Sequence, residues 1–392
     1  MLRTLAVENY RSLRDLVLPL RGLNVVTGAN GSGKSSLYRA LRLLAEASRN
    51  GAVAALAGEG GLASTLWAGP EVVGRGVREG HYALRGTVRN APVGLKLGFS
   101  GDDFGYAMDL GLPIPSETVF GQDPEIKAES VWRGPVLQPR TLLAQRRNGA
   151  VLLRGATGAW GEDSFRIRPY DSMLSEFTDP RAAPEIVVLR ERIRGWRFYD
   201  HFRTDPAAPA RQARPGTRTP VLSADGGDLA AALQTILEMG DPDTLHEAVE
   251  DAFPGSRLSI GYEGNRFEVA LRQDGLLRPL RAAELSDGTL RYLLWVAALL
   301  SPRIPELFVL NEPETSLHPD LLPPLARLIL TAAKNTQLVV VSHARSLTAA
   351  LEAGAEETGA DLATVELVKD FGATQVEGQG RLDRPSWHWP KR

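Results

Sequence analysis

The sequence predicts an α/β protein with a parallel core sheet, an antiparallel β subdomain and an inserted helical lobe. Three observations lead there. An apolar run at 23–27 flows into the glycine-rich GANGSGKSS and then into residues with helical spacing. The last third alternates apolar strands and helices through short connections, the pattern of a parallel sheet. Between these lies a Gly- and Pro-rich stretch of alternating runs, which reads as antiparallel strands joined by tight turns.

The elements follow in order. Short strands are expected at 2–7, 13–18 and 23–27, then a helix with Leu37, Leu41 and Leu44 on one face. Runs such as HYALRGTVRN, VGLKLGFS and FGYAMDL supply the antiparallel strands between 51 and 158. Ile186, Leu189, Ile193, Trp196 and Tyr199 recur three or four apart, predicting an amphipathic helix over 184–200. The next piece, TDPAAPARQARPGTRTP, has no periodicity and reads as a loop or linker. Helices are expected at 228–239 and 242–253, and a hairpin near 258–271. The alternating part then reads helix 288–300, strand 307–311, helix 319–333, strand 337–342, helix 344–353 and strand 364–369. The expected domains are 1–48, 49–178, 179–283 and 284–392, with the first and last contributing to one lobe.

Composition bounds the function. With 392 residues the chain can bury a substantial core, and 43% hydrophobic with 23% charged residues is ordinary for a globular protein. A formal charge of −2 gives no global attraction for nucleic acid or anionic membranes, so any such binding has to be local. The absence of Cys excludes disulfides, thiolate metal sites and a Cys nucleophile. The N-terminus is too polar for a signal peptide, and the longest apolar run, 292–300, is about half of a membrane span. The expectation is a cytoplasmic protein with no membrane association.

Residues 28–35, GANGSGKS, fit G-x-x-x-x-G-K-[ST] at every fixed position and lie between a strand and a helix. Glycines let backbone N–H groups curl around phosphate oxygens, and the helix N-terminus adds partial positive charge. Gly28, Asn30, Gly31, Ser32, Gly33, Lys34, Ser35 and Ser36 are therefore the expected nucleotide-binding set, with Lys34 reaching the β- and γ-phosphates and Ser35 on Mg²⁺. Asn311 and Glu312 end an apolar strand, at the edge where parallel sheets bind ligands. Glu312 is the expected base for water, and Asn311 would touch Mg²⁺ through a bound water. Ser286 is placed to cap a helix that begins LSDGT. His343 follows the strand LVVVS. Read alone, each of these last three has a plainer account: a turn, a cap, a surface histidine.

Together, GANGSGKSS, LSDGT, LFVLNEPETSLHPD and VVVSHA resemble the RecF-like and SMC-like branch of the ABC ATPases, and most nearly bacterial AAA-type ATPases of the RecF/OLD-like group. The motif resemblance covers 1–48 and 284–345, and LAVENYRSL before the loop is similar to that branch too. The resemblance implies a P-loop NTPase head that binds ATP and Mg²⁺. Residues 28–35 would be the Walker A loop, Ser286 and Gly288 the signature, Asn311 and Glu312 Walker B, 316–318 the D-loop and His343 the switch histidine. It also implies a homodimer that closes on ATP, with Glu312, His343 and Lys34 as catalytic residues. Three departures stand out: Asp287 in the signature, Asn311 in place of Asp, and no clear Q-loop glutamine between Gln122 and Gln138.

Outside the motifs, nine Arg face four acids between 181 and 218, a local net of +5, with Trp196, Phe198, Tyr199 and Phe202 among them. Such a strip could bind DNA through Arg190, Arg194 and Arg197, or be a helix whose aromatics are core. Two Trp and two Pro in the tail GRLDRPSWHWPKR suggest docking on its own domain, or a segment for an unknown protein partner.

Four functions fit in different degrees: a dimerising ATPase acting with DNA in repair, recombination or phage defence; a regulatory ATP-binding module with negligible hydrolysis; an ABC transporter subunit; and an OLD-type nuclease. The long insertion between loop and signature, and LSDG, argue against the transporter. Too few residues follow His343 for an acidic nuclease domain, so any cleavage is expected from a partner. Losing a metal's outer partner typically costs roughly 10–100-fold. An amide oxygen still accepts a hydrogen bond, so slow hydrolysis is expected.

Overall fold

The structure is a computed structural model that describes residues 1–392 except 50, 71–93, 156–157, 162–164 and 381. The run HYALRGTVRN lies outside the described residues. The chain divides into two compact units: 1–21, 26–196 and 365–392 form the first, and 22–25 with 197–364 the second.

The first unit begins with β1 (Leu2–Tyr10) and β2 (Leu13–Pro19), an antiparallel hairpin whose apolar residues are buried. β3 (Leu23–Gly28) leads into α1 (Lys34–Ala47), whose Leu37, Leu41 and Leu44 are buried as their spacing predicts. Two short helices, α2 (Ala52–Gly58) and α3 (Leu62–Thr65), occupy the start of the stretch read as strands. Alanine-rich AVAALAG buries only Ala52 and Leu56, a one-sided contact that suits a helix rather than a strand. β4 (Gly94–Gly101), β5 (Phe104–Gly111), β6 (Glu125–Arg133), β7 (Leu142–Arg147), β8 (Ala150–Leu153) and β9 (Phe165–Arg166) follow. They complete an eight-stranded antiparallel sheet, ordered β2-β1-β4-β5-β6-β7-β8-β9. After α4 (Met173–Glu176) comes α5 (Pro184–Gly195).

Here the expected 184–200 helix is corrected. It stops at Gly195, and β10 (Arg197–Tyr199) begins two residues later. Trp196 is the extended residue that caps the helix, and Tyr199 belongs to the strand. Both are buried, so the helical spacing of the two aromatics was coincidence of burial in different elements.

In the second unit, the segment 204–220 is no free linker. It forms a 3₁₀ turn at Pro209–Arg211 and a short strand β11 (Arg214–Pro215), and buries Arg211. α6 (Leu229–Met239), α7 (Pro242–Ala252), β12 (Arg257–Glu263) and β13 (Arg266–Arg272) match the expected helices and hairpin, and β14 (Leu280–Arg281) adds an unexpected strand beside β13. α8 (Asp287–Leu299), β15 (Leu307–Asn311), α9 (Leu322–Ala333), β16 (Gln337–Val341) and α10 (Arg345–Thr358) then alternate as predicted. β10, β15 and β16 run parallel, with Tyr199 beside Leu310 and Asn311 beside Val341. Their apolar runs are buried on both faces, as a helix-covered parallel sheet requires. Tyr199, Phe202, Trp295 and Phe308 pack ring to ring in this core, at centroid distances of 4.9–6.3 Å.

The chain closes with β17 (Leu362–Asp370) and β18 (Ala373–Val376), an antiparallel pair. The parallel strands belong to a six-stranded sheet ordered β10-β15-β16-β3-β17-β18; β3 and β17 each begin in the second unit and end in the first. Among the described residues, no helix is long and apolar enough to cross a membrane.

Candidate functional site

The phosphate-loop residues lie in the first unit. β3 ends at Gly28, and the chain turns through Gly28, Gly31 and Gly33, all at positive φ (140°, 78° and 113°). Gly28 and Gly33 are obligatory for space as well. A Cβ on Gly28 would collide with the Leu367 carbonyl, and one on Gly33 with the Thr374 side chain. α1 starts immediately after Gly33, leaving the first N–H groups of the helix unpaired by intrahelical bonds. Lys34 is buried, and its Nζ donates to the carbonyls of Gly28 (2.7 Å) and Ala29 (3.1 Å), so the ammonium spans the loop mouth. Ser32 Oγ is buried without a hydrogen-bond partner, while Ser35 is exposed at the helix start. An open Gly31, an orphan hydroxyl and a bridging ammonium suit an anion with several oxygens. Thr374 braces the loop: its Oγ1 donates to the Ser32 carbonyl (2.6 Å) and shares a 2.8 Å hydrogen bond with Ser12. Nothing in the sequence signalled Thr374, which lies on a strand far along the chain.

The other motif residues lie in the second unit. At the end of β15, Glu312 adopts φ 49°, and its N–H donates to the Val341 carbonyl (2.7 Å). Left-handed backbone is unusual for Glu and of a kind that concentrates at functional positions. Its carboxylate lies 3.7 Å from His343 Nδ1, and Glu314 lies 3.4 Å from the same nitrogen. Glu314 is buried; one oxygen accepts from Ser342 Oγ (2.7 Å) and from the N–H groups of His343 (3.0 Å) and Ala344 (3.2 Å). That carboxylate therefore sets the turn that presents His343. Sequence reasoning passed over Glu314, although a second acid in N-E-P-E was its signal.

Asn311 donates through Nδ2 to Asp200 Oδ1 at 2.5 Å, and its Oδ1 is buried without a partner. Asp200 was missed because a three-residue strand, β10, is too short to read as one.

Ser286 is an N-cap, its Oγ accepting from Thr289 N–H (3.1 Å). Asp287, the departure in the signature, pairs with buried Arg211 at 2.5 Å. Arg211 also donates to the carbonyls of Thr204, Ala282 and Leu285, so the Pro-rich segment and the signature turn are joined by one guanidinium. Gly288 comes close to Ser316, whose carbonyl oxygen would stand 3.6 Å from a Cβ there. Arg291 donates to the Thr315 carbonyl (2.6 Å) and the Phe202 carbonyl (2.9 Å), and burial lowers its pKa. His318 accepts from the Asp320 N–H. Of the two glutamines, Gln138 accepts from Arg140 Nε (2.8 Å), and Gln122 is exposed. Among the described residues, no group of three or more His, Asp or Glu could hold a metal by itself.

The three arginines expected to touch DNA are placed differently from one another. Arg190 is buried and donates to the Phe177 carbonyl; Arg194 is exposed, with Nε donating to the Ser48 carbonyl (2.9 Å); and Arg197 lies half-buried in β10. Trp196, Tyr199 and Phe202 are each about 2% exposed and offer no stacking face. The helix uses its arginines to fasten neighbouring segments.

A family model described as an AAA ATPase domain matches residues 1–64, and a second AAA domain model, whose description names a candidate AbiEii toxin of a type IV toxin–antitoxin system, matches 162–347. These two stretches hold every motif described above. Over these stretches the chain is similar to AAA ATPase domains. An OLD nuclease of Thermus scotoductus is 46% identical to this chain over 44 residues, 11% of the chain and only 8% of the nuclease. Across 96% of this chain, the SMC head solved with the C-terminal winged-helix domain of ScpA is 13% identical with a TM-score of 0.47, covering 97% of that chain. The SMC head of Thermotoga maritima gives the same figures, and an SMC head with an extended coiled coil, bound to ScpA from Pyrococcus furiosus, gives 12%, 0.47 and 95% of that chain.

Proposed function

We propose that this protein binds ATP with Mg²⁺ and hydrolyses it slowly. The observation that carries the reading is Glu312 at a parallel strand end, with its carboxylate 3.7 Å from His343. A carboxylate and an imidazole together can take a proton from water and hold the hydrogen bonds of the attacking oxygen. Lys34 would exchange its two carbonyl partners for phosphate oxygens, and the exposed Ser35 hydroxyl would face the metal. Bound Mg²⁺ supplies neutralisation of phosphate charge. Ser286 and Gly288 would act on nucleotide held by a second copy, making ATP the adhesive of a homodimer.

The test compares steady-state ATPase of the wild type with Glu312→Gln. Loss of a base is expected to slow turnover by about 10²–10⁴-fold with nucleotide binding retained. An unchanged rate would remove Glu312 from the mechanism.

The short likeness to an OLD nuclease favours a setting in DNA transactions or phage defence. Asn311 keeps one second reading: a regulatory module that binds ATP and scarcely turns it over.

A further inference from the structure

Position 311 carries an amide where an acid is expected, yet a carboxylate stands beside it. β10 and β15 are parallel and in register, Tyr199 opposite Leu310. The next pair along the two strands is therefore Asp200 and Asn311, leaving the sheet at the same level. Asn311 Nδ2 donates to Asp200 Oδ1 at 2.5 Å. An ionised carboxylate only accepts hydrogen bonds, so the amide has to turn its NH₂ toward Asp200 and its oxygen away. That oxygen is buried and has no partner in the protein.

We propose that Asp200 is a positioning residue that lets Asn311 stand in for a carboxylate. Resting on the Mg²⁺·ATP reading, it fixes the amide so that Oδ1, not the NH₂, is presented to a metal-bound water. It also restores, one hydrogen bond away, the negative charge that position 311 lacks. A mere brace between strands is a poor alternative account, because backbone pairing and the Tyr199–Phe308 stack already hold β10 to β15. The orphan acceptor would then have no purpose. A buried acceptor left unpaired is costly and asks for a donor.

The test uses Mn²⁺, read by electron paramagnetic resonance, with the full chain loaded with a non-hydrolysable ATP analogue. Asp200→Asn removes the charge and lets the facing amide orient either way. Mn²⁺ affinity is expected to fall by about 10–100-fold, with metal-free nucleotide binding and melting temperature unchanged. Asn311→Asp alone sets two carboxylates at hydrogen-bond distance, whose repulsion cancels any gain. The exchange Asp200→Asn with Asn311→Asp restores one acid and one amide and is expected to recover wild-type Mn²⁺ affinity. It also carries the test if Asp200→Asn alone unfolds. Unchanged Mn²⁺ affinity in Asp200→Asn, or no recovery in the exchange, overturns the proposal while leaving the ATPase reading intact. A wild type that binds the analogue neither with nor without metal overturns both.

Discussion

Glu314 accepts three hydrogen bonds on one oxygen from the turn that carries His343, and it does so while buried. Removing it leaves a hydroxyl and two backbone N–H groups without that acceptor. Glu314→Ala is expected to destabilise the protein by about 2–4 kcal/mol, since each orphaned buried group costs on the order of 1–3 kcal/mol and part is regained from water. Urea unfolding measures it; a change under about 0.5 kcal/mol, the range of ordinary surface substitutions, would mean the network is dispensable. Ser286→Ala is a milder case. It deletes a helix cap and is expected to cost about 1 kcal/mol, with the helix otherwise retained. At this scale, the residues with a fixed spacing were legible in the sequence. Gly28, Gly33 and Lys34 occupy the conformations their motif demands. Asp200, Glu314 and Thr374 were not legible as parts of the site, because their relevance comes from partners in other strands and turns.

Among elements, α1 and the loop before it depend on two glycines with no room for a side chain. Gly28→Ala is expected to cost about 1–3 kcal/mol from overpacking and positive φ combined, and to weaken nucleotide binding by distorting the loop. Titration with a fluescent ATP analogue, alongside thermal melting, separates the two effects; wild-type behaviour in both would contradict the described geometry. α5 shows where periodicity misleads. Apolar residues three or four apart continued past Gly195 because Trp196 and, in β10, Tyr199 are also buried, and a three-residue strand has too few positions to announce period two. The correction changes what a charge reversal there reports. Arg190→Glu is expected to lower stability by placing a carboxylate beside the Phe177 carbonyl, so weakened DNA binding in that variant would not map an interface.

For the whole molecule, the proposed ATP-driven pairing has a direct readout. ATP with Mg²⁺ is expected to shift monomer to dimer in light scattering, most fully in Glu312→Gln, where the proposed base is gone and bound nucleotide should persist. One unchanging mass would sink the head-to-head arrangement. Parallel β15 and β16 and the antiparallel sheet were legible from the composition of their runs, fully apolar in one case and alternating in the other. The splitting of β3 and β17 between two units was not, since a strand's residues carry no mark of which body each half joins. The tail, read as a docking segment, does lie on the first unit. Arg392 makes a two-pronged pair with buried Asp109 at 2.6 and 2.7 Å. Trp387 sits 5.7 Å from Trp132 and 5.2 Å from Trp389. Three indoles this close couple optically, so the protein carries a built-in chromophore cluster. Release of the tail would register in near-ultraviolet dichroism, without any label.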